Sequence, residues 1–195
     1  MRSPARRFIL LLCAFQLSIA AQSPAAHIGN FGKVNDHIYR GAEPSLVGLQ
    51  ELGAMGVKLV IDLRESSQST EFERQQVEKL HMKYVNVPFA PFSAPTQEQV
   101  KQVLSLLLKN NSDPVFVHCR RGRDRTGTVV ACYRIQHDGW DNQHAFTEAK
   151  EFGISFAERG MRSYILHFSR MAMPDSGKVG DQPTFAGLPG VPARP

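Results

Sequence analysis

Two short, uninterrupted apolar runs constrain this chain more than any other feature. Residues 57–63 read VKLVIDL and residues 114–118 read PVFVH. Runs this short, continuous and rich in β-branched residues suit strands buried on both faces. Around them the apolar spacing switches to a helical period. Val100, Val103, Leu104, Leu107 and Leu108 recur at i, i+3, i+4, i+7 and i+8, and Thr96 with Gln99 forms a capping box ahead of them. Buried strands separated by helices imply parallel pairing, with helices covering both faces of the sheet. The expected fold class is therefore α/β.

The remaining elements follow by the same rules. Residues 36–40 suit a short strand closed by Gly41 and Pro44, and Ser45 caps a helix carrying Leu46, Leu49, Leu52 and Met55, stopped by Gly56. Thr70 and Glu73 predict a second capping box, for a helix with Phe72, Val77 and Leu80 inward. Residues 83–89 form the next strand. Helices are expected at about 125–138, 141–152 and 160–172, with Asp141 as an N-cap and Gly153 as a stop. Residues 30–172 thus make one domain with one core. The hydrophobic content of 42% and charged content of 21% exclude a disordered or fibrous chain. Residues 173–195 are rich in Pro and Gly without periodicity and are expected to be disordered.

Residues 1–21 read as a cleaved signal peptide. Arg2, Arg6 and Arg7 form a basic start without acids, an apolar run spans 8–21, and it closes on small residues, Ser18-Ile19-Ala20-Ala21. The run is shorter than the ~20 residues that span a bilayer, so an uncleaved anchor is disfavoured. A lipoprotein reading at Cys13 is disfavoured by the bulk of Leu12. The expected location is secreted or periplasmic, with no transmembrane segment in the mature chain. Cleavage lowers the net charge from +5 to about +2, which gives no support to nucleic-acid binding. It also leaves Cys119 and Cys132 as the remaining cysteines. With Cys132 about two turns into the helix that follows Cys119, their Cα atoms are expected to lie beyond the ~7 Å reach of a disulfide. Cys132 reads as a small core residue. Nothing in the pattern sets an oligomeric state.

The chemistry concentrates in residues 118–127, HCRRGRDRTG. A buried strand ends at His118, Gly122 permits a sharp turn, and a helix opens near Arg125. Strand, glycine-bearing loop and helix N-terminus together form a cradle of backbone N–H groups suited to a phosphate dianion. The same cradle favours thiolate over thiol at Cys119, making it a competent nucleophile at neutral pH. Arg125 can hold two phosphate oxygens in a fork, and Thr126 can donate its hydroxyl to the sulfur as the sulfur departs. His118 suits a loop-orienting role more than that of a base.

These residues resemble the cysteine-based protein phosphatase superfamily, H-C-x5-R-[S/T], in its dual-specificity and atypical tyrosine phosphatase branch. DHIYRGAEPS, GVKLVIDLRE, APTQEQV, PVFVHC, TGTVVACYRI and the Trp140 region extend the resemblance over about 140 residues. It implies a mixed, largely parallel central sheet flanked by helices, no metal, no cofactor and a phosphocysteine intermediate. It also implies a phosphate site formed by Arg120, Arg121, Gly122, Arg123 and Gly127 along with Arg125. One departure stands out. The family takes its general acid, an Asp, from a loop some thirty residues before the cysteine, and residues 88–95 (PFAPFSAP) hold no carboxylate. Asp113 is too close to the strand leading into Cys119. Asp124 is the remaining candidate, as acid or as a brace of the loop. Four arginines in the loop suit substrates with several phosphates, such as inositol phosphates or phosphoinositides, slightly better than a phosphorylated protein. Two alternatives remain open, a rhodanese-like sulfurtransferase and a phosphate-binding pseudophosphatase. The five-residue gap to Arg125 followed by Thr126 argues against the first. The intact nucleophile argues against the second.

Overall fold

The computed structural model describes residues 27–109 and 113–173. The expected signal peptide, and all but Met173 of the expected tail, lie outside the described residues. The elements run β1 (Gly32–Lys33), β2 (Ile38–Ala42), α1 (Leu46–Ala54), β3 (Leu59–Asp62), α2 (Gln68–Lys79), β4 (Lys83–Asn86) and α3 (Gln97–Lys109). They continue with β5 (Val115–Cys119), α4 (Asp124–Tyr133), α5 (Asn142–Glu151) and α6 (Arg159–His167). One π-helical turn, Arg134–Asp138, prolongs α4. Among the described residues, no helix is long and apolar enough to cross a membrane.

The sheet order is β1-β2-β5-β3-β4. β5 pairs in parallel with β2 and β3, β3 pairs in parallel with β4, and β1 joins β2 antiparallel. The sheet is thus mixed and largely parallel, as the family resemblance implies. The antiparallel edge is two residues long, too short to leave a periodic trace in sequence. The apolar runs at 57–63 and 114–118 become β3 and β5, with β5 in the middle of the sheet. The chain crosses from β2 to β3 and β4 and then returns to insert β5 between β2 and β3. Ligands in such sheets bind beyond the carboxyl ends of the strands, where the order reverses.

Alternation along β5 sorts its side chains between two cores. Val115, Val117 and Cys119 face the larger core, made with α3, α4, α5 and α6. Phe116 faces the smaller core, made with α1 and α2. Helix α4 is buried from Thr126 to Tyr133, which suits a helix packed on all sides rather than a surface one. Cys132 is a free, buried member of the larger core, as expected.

Several local expectations are corrected. The capping box on α2 is Ser67 with Thr70, not Thr70 with Glu73. The Ser67 amide donates to Thr70 Oγ1 at 2.8 Å and the Thr70 amide to Ser67 Oγ at 3.3 Å. Glu73 is instead turned inward and buried, while Phe72, expected inward, is 53% exposed. Gly41 does not end the strand but lies within it, opposite His118. β4 stops at Asn86, short of Phe89, and α6 stops at His167. The Thr96–Gln99 box forms as expected, with reciprocal bonds of 2.8 and 3.2 Å, and the Asp141 cap forms on the His144 amide at 2.8 Å.

Candidate active site

The loop from Cys119 to Arg125 turns on Gly122. Its φ is 66°, and a Cβ there would fall on the Gly41 carbonyl carbon and the Ala42 nitrogen of β2. Only glycine allows both the left-handed backbone and this close approach. The Gly122 carbonyl is then fixed from below by two side chains, Arg40 Nη2 at 2.9 Å and Asn30 Nδ2 at 2.8 Å. Arg40 is 1% exposed, and burial lowers its pKa to about 10. Its guanidinium lies 3.8 Å from the centroid of the Phe152 ring, a cation–π contact. The sequence reading did not single out Arg40, because a lone arginine in a strand pattern carries no spacing signal.

Cys119 sits at the carboxyl end of β5 and is 2% exposed. Burial pushes its thiol up, but the Thr126 hydroxyl and amide, the Arg125 guanidinium and the Arg121 amide outweigh it, holding the thiol below its ordinary range. Thr126 Oγ1 is buried and makes no strictly aligned hydrogen bond. Arg123, at the N-cap of α4, places no side chain on the helix end, so the first-turn amides open toward the loop. Arg125 is half-buried, and its Nη1 reaches the carbonyls of Leu63 at 3.4 Å and Phe89 at 3.5 Å. These long tethers aim the guanidinium across the ends of β3 and the segment that follows β4.

His118 points the opposite way, as strand alternation requires. It is fully buried and stacked on Phe116, ring centroids 5.3 Å apart. Its Nε2 lies 2.8 Å from Glu73 Oε1 on α2, close enough for an ion pair but not aligned as a hydrogen bond. Burial pushes the imidazole pKa down, yet Glu73 and Asp62 raise it above its ordinary value. It orients β5 from the far face and does not point at the sulfur's side.

Beside it lies a network that the sequence reading missed. Asp62 is fully buried and takes a bidentate fork from Arg64, with Nη2–Oδ2 at 2.6 Å, and a 2.6 Å bond from the Tyr84 hydroxyl. The same Arg64 reaches Glu73 Oε2 at 2.6 Å and pairs with Glu43. Asp62, Glu73 and His118 hold ligand atoms within 4.8 Å of one another, a spacing that would suit a cation. The cation bonded to both carboxylates is the Arg64 guanidinium.

Arg64, Cys119, Arg120, Arg121, Asp124 and Arg125 line one cleft of about 570 Å³, joined by Glu158 from the start of α6 and by Pro91 and Phe92. The structure thus brings together Cys119, Arg120, Arg121, Asp124 and Arg125. It does not bring the Arg123 side chain there: its Cδ and Nε lie 3.5 and 3.6 Å from where a Cβ on Gly153 would stand. Arg120 and Arg121 are exposed, and neither is ion-paired among the described residues. Gly127 lies in the first turn of α4, its amide bonded to the Arg123 carbonyl at 2.8 Å. Asp124 Oδ1 accepts a 2.6 Å bond from the Ser155 amide, which fixes the loop to the segment ahead of α6. Of the two roles left open for Asp124, the brace is visible in the geometry.

Residues 24–163 match the family described as DSP-PTPase phosphatase fused to NAD+ kinase. The "Probable tyrosine-protein phosphatase DG1060" of Dictyostelium discoideum is 31% identical over 130 residues, covering 65% of this chain and 77% of that one. "Inositol diphosphatase DSP2" of rice, Oryza sativa subsp. japonica, is 29% identical over 139 residues, covering 66% of this chain and 64% of its relative. Among solved structures, P. aeruginosa TpbA in complex with phosphotyrosine superposes with a TM-score of 0.62 at 25% identity, over 73% of this chain and 85% of that one.

Proposed function

Since the chain belongs to this DSP-PTPase phosphatase family and is a cysteine-dependent phosphatase, we propose that it hydrolyses phosphomonoesters through a phosphocysteine formed on Cys119. One observation carries the proposal. The Cys119 sulfur, held toward thiolate by Thr126 and Arg125, ends a buried strand and faces the amides of α4 across a single basic cleft. The thiolate attacks phosphorus while Arg125 gathers the equatorial oxygens in its fork. Thr126 then eases departure of the sulfur as water attacks the intermediate. Gly122 and Gly127 shape the loop and the helix turn that present backbone N–H groups to the phosphate.

The substrate reading rests on Arg120 and Arg121. Exposed cations at a cleft, without acidic partners, favour a substrate with more than one phosphate, of the inositol pyrophosphate or inositol polyphosphate kind. A phosphotyrosine protein is the second reading, supported by the exposed Phe92 on the same cleft. Export is part of the proposal and is supported by the basic start and apolar run of residues 1–21. A panel of inositol pyrophosphate, phosphoinositide and phosphotyrosine peptide separates the substrate readings. Replacing Arg120 and Arg121 together by Ala is expected to lower kcat/KM on the inositol substrate at least tenfold more than on p-nitrophenyl phosphate, with a weaker salt dependence. Equal losses on both would remove the polyphosphate reading.

A further inference from the structure

The segment at 88–95 lacks the carboxylate that this family places there, yet a carboxylate occupies the neighbouring space. We propose that Glu158, at the N-cap of α6, is the general acid that protonates the leaving oxygen, taking in space the place of the absent upstream Asp. The proposal rests on the phosphocysteine reading above.

Five observations support it. Glu158 is 5% exposed, and its Oε2 is buried without a hydrogen-bond partner. It lines the same cleft as Cys119 and Arg125. Although it stands at the N-cap position, its side chain does not cap α6. The backbone amide of Phe92, inside that same segment, instead faces the Glu158 carboxyl closely enough to favour the charged form. The two segments meet backbone to backbone. A Cβ on Gly160 would stand 2.6 Å from the Ala94 nitrogen and 3.1 Å from the Ser93 carbonyl carbon. A glycine at that position is what lets the start of α6 approach so closely.

The neighbouring charges divide the roles of the two cleft carboxylates. Asp124 is the first residue of α4, where the helix dipole favours an anion, and the Ser155 amide donates to it at 2.6 Å. Glu158 has a buried, unpartnered oxygen and the Asp124 charge nearby. Burial first, and then Asp124, raise its pKa above the usual carboxylate range, against the Phe92 amide and Arg125, which lower it. Arg64, Glu65, Arg120 and Arg121 face it across the cleft, with the Cys119 thiolate. Burial beside another carboxylate thus makes Glu158 hold its proton more firmly than an ordinary carboxyl group does.

The step balances. The Cys119 sulfur forms the S–P bond as the P–O bond to the leaving group breaks. That electron pair stays on the oxygen, which takes the Glu158 proton. In the second half, the Glu158 carboxylate takes a proton from the water that attacks phosphorus. The S–P bond breaks with its electron pair on sulfur, which restores the Cys119 thiolate; inorganic phosphate leaves, and Glu158 is again protonated.

The test compares wild type, Glu158→Gln, Asp124→Asn and Cys119→Ser across phosphomonoesters of increasing leaving-group basicity, from p-nitrophenyl phosphate to an alkyl phosphate. Glu158→Gln is expected to lose about 10²-fold in kcat on the alkyl phosphate and less than about tenfold on p-nitrophenyl phosphate. The dependence of kcat/KM on leaving-group basicity steepens, and the fall in activity toward high pH disappears. That slope is a ratio within one preparation, so loss of folded protein does not alter it. Asp124→Asn is expected to keep the wild-type slope and to move the alkaline fall to lower pH, because Glu158 loses a neighbouring negative charge. An unchanged slope in Glu158→Gln, or a steepened slope in Asp124→Asn alone, overturns the assignment. Retained turnover in Cys119→Ser would instead overturn the underlying mechanism.

Discussion

Removal of Arg64 is expected to cost stability because two buried carboxylates share it. Its guanidinium is the shared partner of two carboxylates that are 0% and 5% exposed, Asp62 and Glu73. Arg64→Met leaves an aliphatic chain among the same neighbours. Asp62 then keeps Tyr84, and Glu73 keeps the poorly aligned contact with His118. Removing one partner of a buried ion pair costs about 3–5 kcal/mol, because the remaining charge is uncompensated. Arg64→Lys keeps the charge but loses the fork, and should cost about 1.5–3 kcal/mol, the worth of a charged hydrogen bond.

Urea unfolding followed by far-ultraviolet circular dichroism measures both variants, and pH supplies an independent sign. In the wild type, burial raises the Asp62 pKa but His118, Arg64 and Tyr84 outweigh it and hold the carboxyl below its ordinary range. A depressed folded pKa contributes stability above the unfolded value of ~3.9, lost as pH falls through the folded value. In Arg64→Met burial of Asp62 acts with less opposition, and its pKa rises relative to that in the wild type. The deficit of that variant relative to wild type should therefore narrow as pH falls below the unfolded carboxylate value of ~3.9. A loss within the ~0–1 kcal/mol of a surface pair, with the wild-type pH dependence, would refute the reasoning.

Two further predictions follow from the loop. Gly122→Ala must hold φ at 66° and place its Cβ on the β2 backbone, so a loss of about 2–5 kcal/mol in chemical denaturation is expected, together with loss of phosphate binding by titration calorimetry. Thr126→Val removes a hydroxyl that helps hold Cys119 toward thiolate. The acidic limb of kcat/KM should move to higher pH, and breakdown of the phosphoenzyme should slow by about tenfold, the equivalent of one modest hydrogen bond to charge.

Legibility in the sequence followed the range of the interactions. β3 and β5 were readable because burial on both faces leaves a continuous apolar run, and α3 because its capping box and apolar stripe are local. The loop was readable because strand, glycine and helix start lie within ten residues. The α2 box was placed three residues late. Ser67-Gln68-Ser69-Thr70 offers a side-chain oxygen at the right spacing, whereas the Thr70–Glu73 pattern fits the rule equally well in sequence. Glu73 had another use, beside Arg64 and His118, that only the packing of α2 on the sheet creates. Arg40 and Glu158 were missed for the same reason. One reaches the Gly122 carbonyl across 82 residues. The other follows Cys119 at a distance in sequence that no motif connects, brought near by the contact between Gly160 and the 93–94 backbone. The family resemblance implies Arg123 in the phosphate site, but its stem runs along Gly153 instead.

The central claim is that phosphate passes through the sulfur of Cys119. Rapid acid quench during turnover, followed by peptide mass spectrometry, tests it most directly. The account predicts a phosphoryl group on the peptide that carries Cys119, accumulating on fast-leaving aryl phosphates and absent in Cys119→Ser. Phosphate release at wild-type rates with no adduct on that sulfur, or with the adduct on another side chain, would contradict it.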